Sequence, residues 1–299
     1  MKLAAPVFAA AICLLAFTAN QTQVRAQAPA APVLTTKTVK PGLYMIVGAG
    51  GNVAVRVTPS GVVVIDTKNS GPDIFDALLA QIRMVSGGVP IRFVVDTHHH
   101  ADHTGNNGRF IGLGIPVVAQ EGIKPGLDAY RTAAATPETA ALVDPTRFYK
   151  ATASLELGAA KVDLFHYSPG HTRGDTLVYF PDLKAVATGD EVAIPTPTFD
   201  FPGGGDIEGW ENSLDQLLKL DWDVAIPGHG DSPISRADVV AFRGKLATFL
   251  ARAKEQVKKG VPKDKLIAAI KVDDLGWKFA PTFWTTANRV DGLYAEASK

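Results

Sequence analysis

Four of the seven histidines fall within six residues, in Thr97-His98-His99-His100-Ala101-Asp102-His103, and this density constrains the chain more than any other feature. The cluster follows directly on Ile91-Arg92-Phe93-Val94-Val95-Asp96, an apolar run that reads as a buried strand. Alternate side chains leave a strand end toward the same side, so His98 and His100 can converge on one cation. Asp102 and His103 then face a second position close by. Imidazole nitrogen and carboxylate oxygen are the donors that zinc and similar divalent ions take. Gly105 allows a tight turn after the cluster, and Asn106-Asn107 suit the start of the helix that follows.

Three more candidate ligands each sit at a predicted strand end in a glycine-flanked turn. They are His171 in Pro169-Gly170-His171-Thr172, Asp190 in Thr188-Gly189-Asp190-Glu191, and His229 in Pro227-Gly228-His229-Gly230. Loops anchored by strands hold side chains on a rigid frame, where sites tend to be built. Short strands are predicted at Leu43–Val47, Val53–Thr58, Val62–Asp66, Ile91–Asp96 and Pro116–Ala119, and again at Thr152–Leu157, Val162–Tyr167, Thr176–Phe180, Ala185–Thr188 and Asp223–Ile226. Helices are predicted over Pro72–Val85, in an alanine-rich stretch to about Val143, and over Ile207–Leu220, Arg236–Lys258, Lys263–Ile270 and Phe283–Ala297. Strands with helices in both halves fit an α+β fold, a four-layer αββα sandwich in a single domain, better than a doubly wound sheet.

The ordered series His98-x-His100-x-Asp102-His103, Gly-His171-Thr, Gly-Asp190 and Gly-His229-Gly resembles the metallo-β-lactamase superfamily, from about Tyr44 to Gly230. The resemblance implies that fold, a binuclear centre of two divalent metal ions, zinc for preference, and hydrolytic activity. It implies that His98, His100 and His171 hold the first metal, that Asp102, His103 and His229 hold the second, and that Asp190 bridges both. Asp102 would also be catalytic, orienting a water whose pKa is lowered between cations about 4 Å apart. Asp66 resembles the family's acidic residue that braces the histidine loop. His99 is expected to point away from the metals, and Thr172 with Asp175 to tie the turn after His171. His166, between Phe165 and Tyr167 on a strand, reads as a hydrogen-bonded core histidine.

The single cysteine, Cys13, lies in an N-terminal segment with Lys2 ahead of an apolar run from Leu3 to Phe17, followed by polar Asn20–Gln23. This pattern is that of a secretory signal peptide over residues 1–26, short of the roughly 20 apolar residues of a membrane span. Residues 27–41 read as a flexible Ala/Pro linker, and the domain occupies residues 42–299. The expectation is an exported protein, periplasmic or secreted, without stable membrane insertion after cleavage. A cysteine at the bridging position, as some β-lactamases have, is excluded in the mature chain, and Asp190 resembles the choice of glyoxalase II and the lactonases. The diiron branch with glutamate at the second ligand is disfavoured by His100.

Lys plus Arg equals Asp plus Glu at 30 each, which gives no electrostatic case for nucleic acid as a partner. A small-molecule substrate is expected: a carboxylic ester, thioester, lactone or amide. The Pro-stiffened segment Ala193–Pro202, with Trp210 beyond it, could wall an apolar pocket. Ile194 stands where lactonases carry tyrosine, and Lys254, Lys258 and Lys259 suit a solvated helix face as well as a glutathione site. Three alternatives remain at this stage: a β-lactam hydrolase, a mononuclear iron persulfide dioxygenase using His98, His171 and Asp190, and a non-catalytic periplasmic metal-binding factor.

Overall fold

The computed structural model describes residues 33–132, 142–280, 282–285 and 289–299, and within them the alternation of apolar side chains sets the layering. One sheet runs β1 (Thr35–Lys40), β2 (Leu43–Val47), β3 (Val53–Thr58), β4 (Gly61–Ile65), β5 (Ile91–Val95), β6 (Val117–Gln120) and β7 (Arg147–Tyr149), in that spatial order. The first four pair antiparallel and the last four parallel. The second sheet is built from β8 (Thr152–Leu157), β9 (Ala160–Phe165), β10 (Leu177–Phe180), β11 (Ala185–Ala193), β12 (Val224–His229) and β13 (Ile234–Ser235), neighbours in sequence throughout, with β11 and β12 parallel. The helices are α1 (Pro72–Ser86), α2 (Ala101–Thr104), α3 (Asn107–Gly112), α4 (Lys124–Thr132), α5 (Ile207–Leu217), α6 (Arg236–Lys258), α7 (Leu266–Ala269) and α8 (Arg289–Ala297).

Successive residues of a strand face opposite sides of its sheet, and each central strand here feeds two cores. In β4, Val63 and Ile65 enter the core between the sheets, while Val62 and Val64 pack under Phe75, Leu78 and Ile82 of α1. In β11, Ala185 and Ala187 face the inter-sheet core, and Val186 faces Trp210, Leu214 and Leu246 of α5 and α6. Strands buried on both faces carry continuous rather than alternating hydrophobicity, as the Val62–Ile65 run does. The result is helix, sheet, sheet, helix, the expected four-layer αββα arrangement.

Local signals account for the helix ends. Pro72 opens α1 and Gly87 closes it with a left-handed φ of 60°. Ser235 and Asp238 form a reciprocal capping box at the start of α6, whose bounds match the sequence expectation. The linker expectation is corrected over part of its length: Thr35–Lys40 is an edge strand paired with β2 from Thr35↔Val47 to Lys40↔Leu43. Its Thr-Val composition favours a pleated chain, and the ordered fold begins there, not at residue 42. Trp210 is also corrected. It is fully buried in the helix-side core, and its Nε1 donates to the Glu191 carbonyl at 2.9 Å, so it walls no pocket.

The expected signal peptide lies outside the described residues, as do the residues beyond α4 up to 141 that were expected to continue its helix. Among the described residues, no helix is long and apolar enough to cross a membrane. Leu246, fully buried on α6, should report on the helix-side core. Leu246→Ala is expected to lower stability by about 2–5 kcal/mol, read as a shift in the urea midpoint with the slope of the transition unchanged.

Candidate metal centre

Strand ends from both sheets meet at one edge of the sandwich. His98 and His100 leave β5, Asp102 and His103 lie on the short helix α2, and His171 comes from the loop between β9 and β10. His229 is the last residue of β12. Asp190 lies inside β11, where the ladder to β12 breaks register around Gly189, so β11 runs on past the predicted end at Thr188.

Two sets of donor atoms converge. His100 Nδ1 lies 3.0 Å from His98 Nε2 and 3.0 Å from His171 Nε2, with Asp190 Oδ2 at 4.0 and 3.7 Å from the latter two. His103 Nε2 and His229 Nε2 are 3.3 Å apart, and Asp102 Oδ2 is 3.6 and 3.3 Å from them. Asp190 faces this second set too, with Oδ1 3.3 Å from His103 Nε2 and Oδ2 3.4 Å from His229 Nε2.

The outer ring nitrogens decide what these approaches mean. His171 Nδ1 donates to the Thr198 carbonyl at 2.6 Å, His103 Nδ1 to Asp66 Oδ2 at 2.7 Å, and His100 Nε2 to Asp200 Oδ2 at 3.0 Å. Thr97 Oγ1 donates to Asp66 Oδ2 at 2.8 Å, which leaves it to accept from His98 Nδ1 at 3.0 Å. In a neutral imidazole the nitrogen opposite a donating N–H is a lone pair, so the His98, His100 and His171 rings aim lone pairs inward at one another. That arrangement is repulsive without a cation and is the pattern of metal-ligating histidines whose outer N–H is fixed. Asp190 Oδ1, buried and without a hydrogen-bond partner, is a further acceptor turned to the same place. The residues therefore fit divalent cations.

The surroundings are built to hold this geometry. Asp66, at the end of β4, has a left-handed φ of 67°, and its Oδ1 also accepts from Thr97 N at 2.7 Å. A left-handed non-glycine residue costs of order 1–2 kcal/mol, which these bonds offset. A Cβ on Gly51 would stand 2.2 Å from the His103 ring, and one on Gly228 would stand 2.1 Å from Asp190 Oδ1, so both approaches need glycine. Lys68, fully buried, donates to the carbonyls of Ile46 and Gly51 at 2.7 Å each and ties the glycine loop over His103. Burial pushes its ammonium down to about 7, against the pull of Asp66 and Asp102.

His99 is buried and faces away from the donor sets, its Nε2 3.2 Å from Asp200 Oδ2. Thr172 donates through N and Oγ1 to Asp175 at 2.8 and 2.6 Å. His166 is half-buried at the end of β9 rather than in the core, and its Nδ1 donates to the Asp175 carbonyl at 2.8 Å. Two residues are added that the sequence did not single out. Asp200, 100 positions from His100, orients that ring, and Lys68 sits in an Asp-Thr-Lys stretch that resembles a surface turn. The first donor set is nearly closed to solvent, whereas Asp102 and His229 retain about a third of their side-chain exposure, at 32% and 38%.

A sequence model of the Metallo-beta-lactamase superfamily matches residues 47–229, more than half of the chain. The chain is 24% identical over 198 residues to the 2,4-dinitroanisole O-demethylase subunit alpha of Nocardioides sp. (strain JS1661), covering 66% of this chain and 58% of that protein. It is 29% identical over 162 residues to the hydroxyacylglutathione hydrolase of Brucella ovis, covering 52% and 53%. The chain thus spans little more than half the length of these curated relatives. Among solved structures, a metallo-beta-lactamase from Pontibacter korlensis superposes with a TM-score of 0.60 at 18% identity, over 72% of this chain and 99% of that one, a likeness of fold.

Protonation of the metal-free centre gives a test. Burial opposes charge on His103 and His229, yet Asp190 and Asp66 raise His103 well above the usual imidazole range, and bonds to Asp102 and Asp190 push His229 up to about 9. Both groups have raised pKa values, so both are protonated at pH 7 and must lose protons to become ligands. Loading zinc into metal-free protein should therefore release about two protons near pH 7 and fewer as pH rises through 9. Calorimetry in buffers of different ionisation enthalpy measures this, and proton release independent of pH would contradict it.

Proposed function

We propose, starting from the fact that the chain belongs to the metallo-beta-lactamase superfamily, that it is a binuclear metal-dependent hydrolase acting on an ester, thioester, lactone or amide of a small molecule. The observation that carries this reading is the Asp190 carboxylate facing two complete donor sets at once. The first set, His98, His100 and His171 with Asp190, and the second, Asp102, His103 and His229 with Asp190, would each hold one cation. Their nitrogen and oxygen donors, with no thiolate, suit zinc. Cations in such a pair lower the pKa of a coordinated water toward neutrality and offset negative charge that builds on the substrate oxygen.

The protein's own groups do the rest. Asp102 lies at the open side of the site, and although burial opposes ionisation, a bond from His229 and the nearby charge of His103 hold its carboxyl down at about 2. It is ionised throughout the neutral range, so it accepts a hydrogen bond from the attacking water and orients it toward the carbonyl carbon. The water oxygen bonds to that carbon, the bond from carbon to the leaving atom breaks, and the released proton ends on the leaving group. His171 is kept neutral, pushed down to about 3 chiefly by burial and by the neighbouring His100, and so stays available as a ligand well below neutral pH. Trp210 packs against the His171 ring, 5.6 Å between centroids, and keeps water from its inner side.

The second donor set argues for this over the single-iron alternative, since Asp102, His103 and His229 lie within ligand reach of one another and a mononuclear reading leaves them without a role. Ile194 lies beside His229, donating its N–H to the His229 carbonyl at 3.1 Å, and brings no phenol to the site, which weighs against the lactonase variant. Metal analysis should find two equivalents per chain after zinc loading, and a panel of aryl esters, thioesters, lactones and nitrocefin should reveal turnover. Asp102→Ala should reduce kcat by about a hundredfold or more, whereas His166→Ala should keep its metal and activity and lose stability. Under one equivalent of metal, or an Asp102 variant as active as wild type, sinks the binuclear mechanism.

A further inference from the structure

A cavity of about 400 Å³ opens beside the centre, shares His100 with it, and extends past Tyr130 to Arg173 and Arg289. That volume is in the range of small-molecule pockets. Pro125, Ala129 and Pro202 give it apolar walls, and its polar end is distinctly basic. Arg173 follows the His171-Thr172 turn, and its backbone N–H donates to the Gly203 carbonyl at 3.0 Å. Its guanidinium lies over Gly204, where a Cβ would come within 2.8 Å of Nε. The side chain is exposed and has no carboxylate partner among the described residues. Arg289, on α8, is fixed from behind: Nε donates to the Phe199 carbonyl at 3.0 Å, Nη1 to the Phe283 carbonyl at 3.1 Å, and the guanidinium stacks 4.4 Å from the Phe283 ring centre.

Asp200 is the one carboxylate in this lining, and it is fully engaged. Its Oδ2 accepts from His100 Nε2 at 3.0 Å and faces His99 Nε2 at 3.2 Å, and its Oδ1 accepts from Gly203 N at 3.0 Å. Arg173, with Arg289 beside it, therefore borders a pocket whose lining holds a single acid, already bound to the histidines. Guanidinium pairs well with planar carboxylates, by two parallel hydrogen bonds.

We propose that the substrate carries a carboxylate away from its scissile bond and that Arg173 receives it in this cavity, beside the positive charge of the anchored Arg289. The proposal rests on the hydrolase reading above and narrows its substrate to acidic esters or amides with a short apolar spacer. Arg173 and Arg289 are specificity-determining, and neither touches the reacting atoms.

The test compares 4-acetoxybenzoate with 4-acetoxybenzamide, an acid and its neutral isostere with the same scissile bond, on the zinc-loaded full chain. The acid should be favoured in kcat/KM by about tenfold or more. Arg173→Gln should bring the ratio toward one, whereas Lys161→Gln, an exposed residue of β9 paired with Asp163, should leave it alone. Arg289→Gln should act in the same direction, but Arg289 also anchors two carbonyls, so the exposed Arg173 gives the cleaner reading. A wild-type ratio near one, or a ratio that Arg173→Gln does not change, overturns the proposal while leaving the hydrolase reading intact. If neither ester is turned over, the hydrolase reading fails for this class and calorimetric binding of 4-hydroxybenzoate decides the pocket. Affinity that falls about tenfold in Arg173→Gln supports the anion subsite, and equal affinity in both proteins, or no binding to wild type, refutes it.

Discussion

The outer hydrogen bond on four of the five inward-facing imidazoles, His98, His100, His103 and His171, is the constraint on which the site depends. A histidine ring can turn over, and either nitrogen can carry the proton. Asp66, Asp200, Thr97 and the Thr198 carbonyl remove that freedom one ring at a time. Each partner in turn needs a fixed place, and the fold supplies it: Asp66 from the end of a fully buried strand, Thr97 from the end of its parallel neighbour, and Thr198 and Asp200 from a proline-braced loop over the helix-side core. The two sheets are thus more than a carrier. Their separate edges deliver the two halves of the donor set, and the packing between them fixes the distance.

Polarity is distributed unevenly around that centre. Its inner side is closed by Trp210 and by a pair of buried acids, Asp175 and Glu191, which burial pushes upward in pKa, Asp175 to about 7. Its outer side carries Asp102, His229 and the basic cavity. Chemistry and recognition are therefore on one face, with selectivity set by residues that lie on loops and on the last helix, not on the ligand-bearing strands.

Much of this was legible in the sequence because the signals are local. A run of histidines directly after an apolar strand marks candidate ligands, and a glycine directly before each of His171, Asp190 and His229 marks where the chain bends to present a side chain. What stayed hidden depends on contacts over long separations. Lys68 looks like a turn lysine until the Ile46 and Gly51 carbonyls are seen around it. Asp200 has no motif at all and gains its role only when the loop folds back onto His100. The first strand was masked by the Ala/Pro run before it, although its own Thr and Val residues favour an extended chain. Trp210 sat next to a loop of proline and phenylalanine, and only the apolar face of its helix directs it inward.

The centre also bears on how the chain is held together. With Cys13 its only cysteine, this 299-residue sequence can form no disulfide within itself. His103 and His229, 126 positions apart, are nevertheless brought to the same point, and each donor set draws on chain segments from far along the sequence. Cations bound there act as a reversible covalent-like clasp, and closing so long a loop removes conformational freedom from the unfolded chain much as a cross-link does. With metal bound, occupancy of the site and integrity of the sandwich would be one linked equilibrium, so the supply of metal would set the stability of the fold.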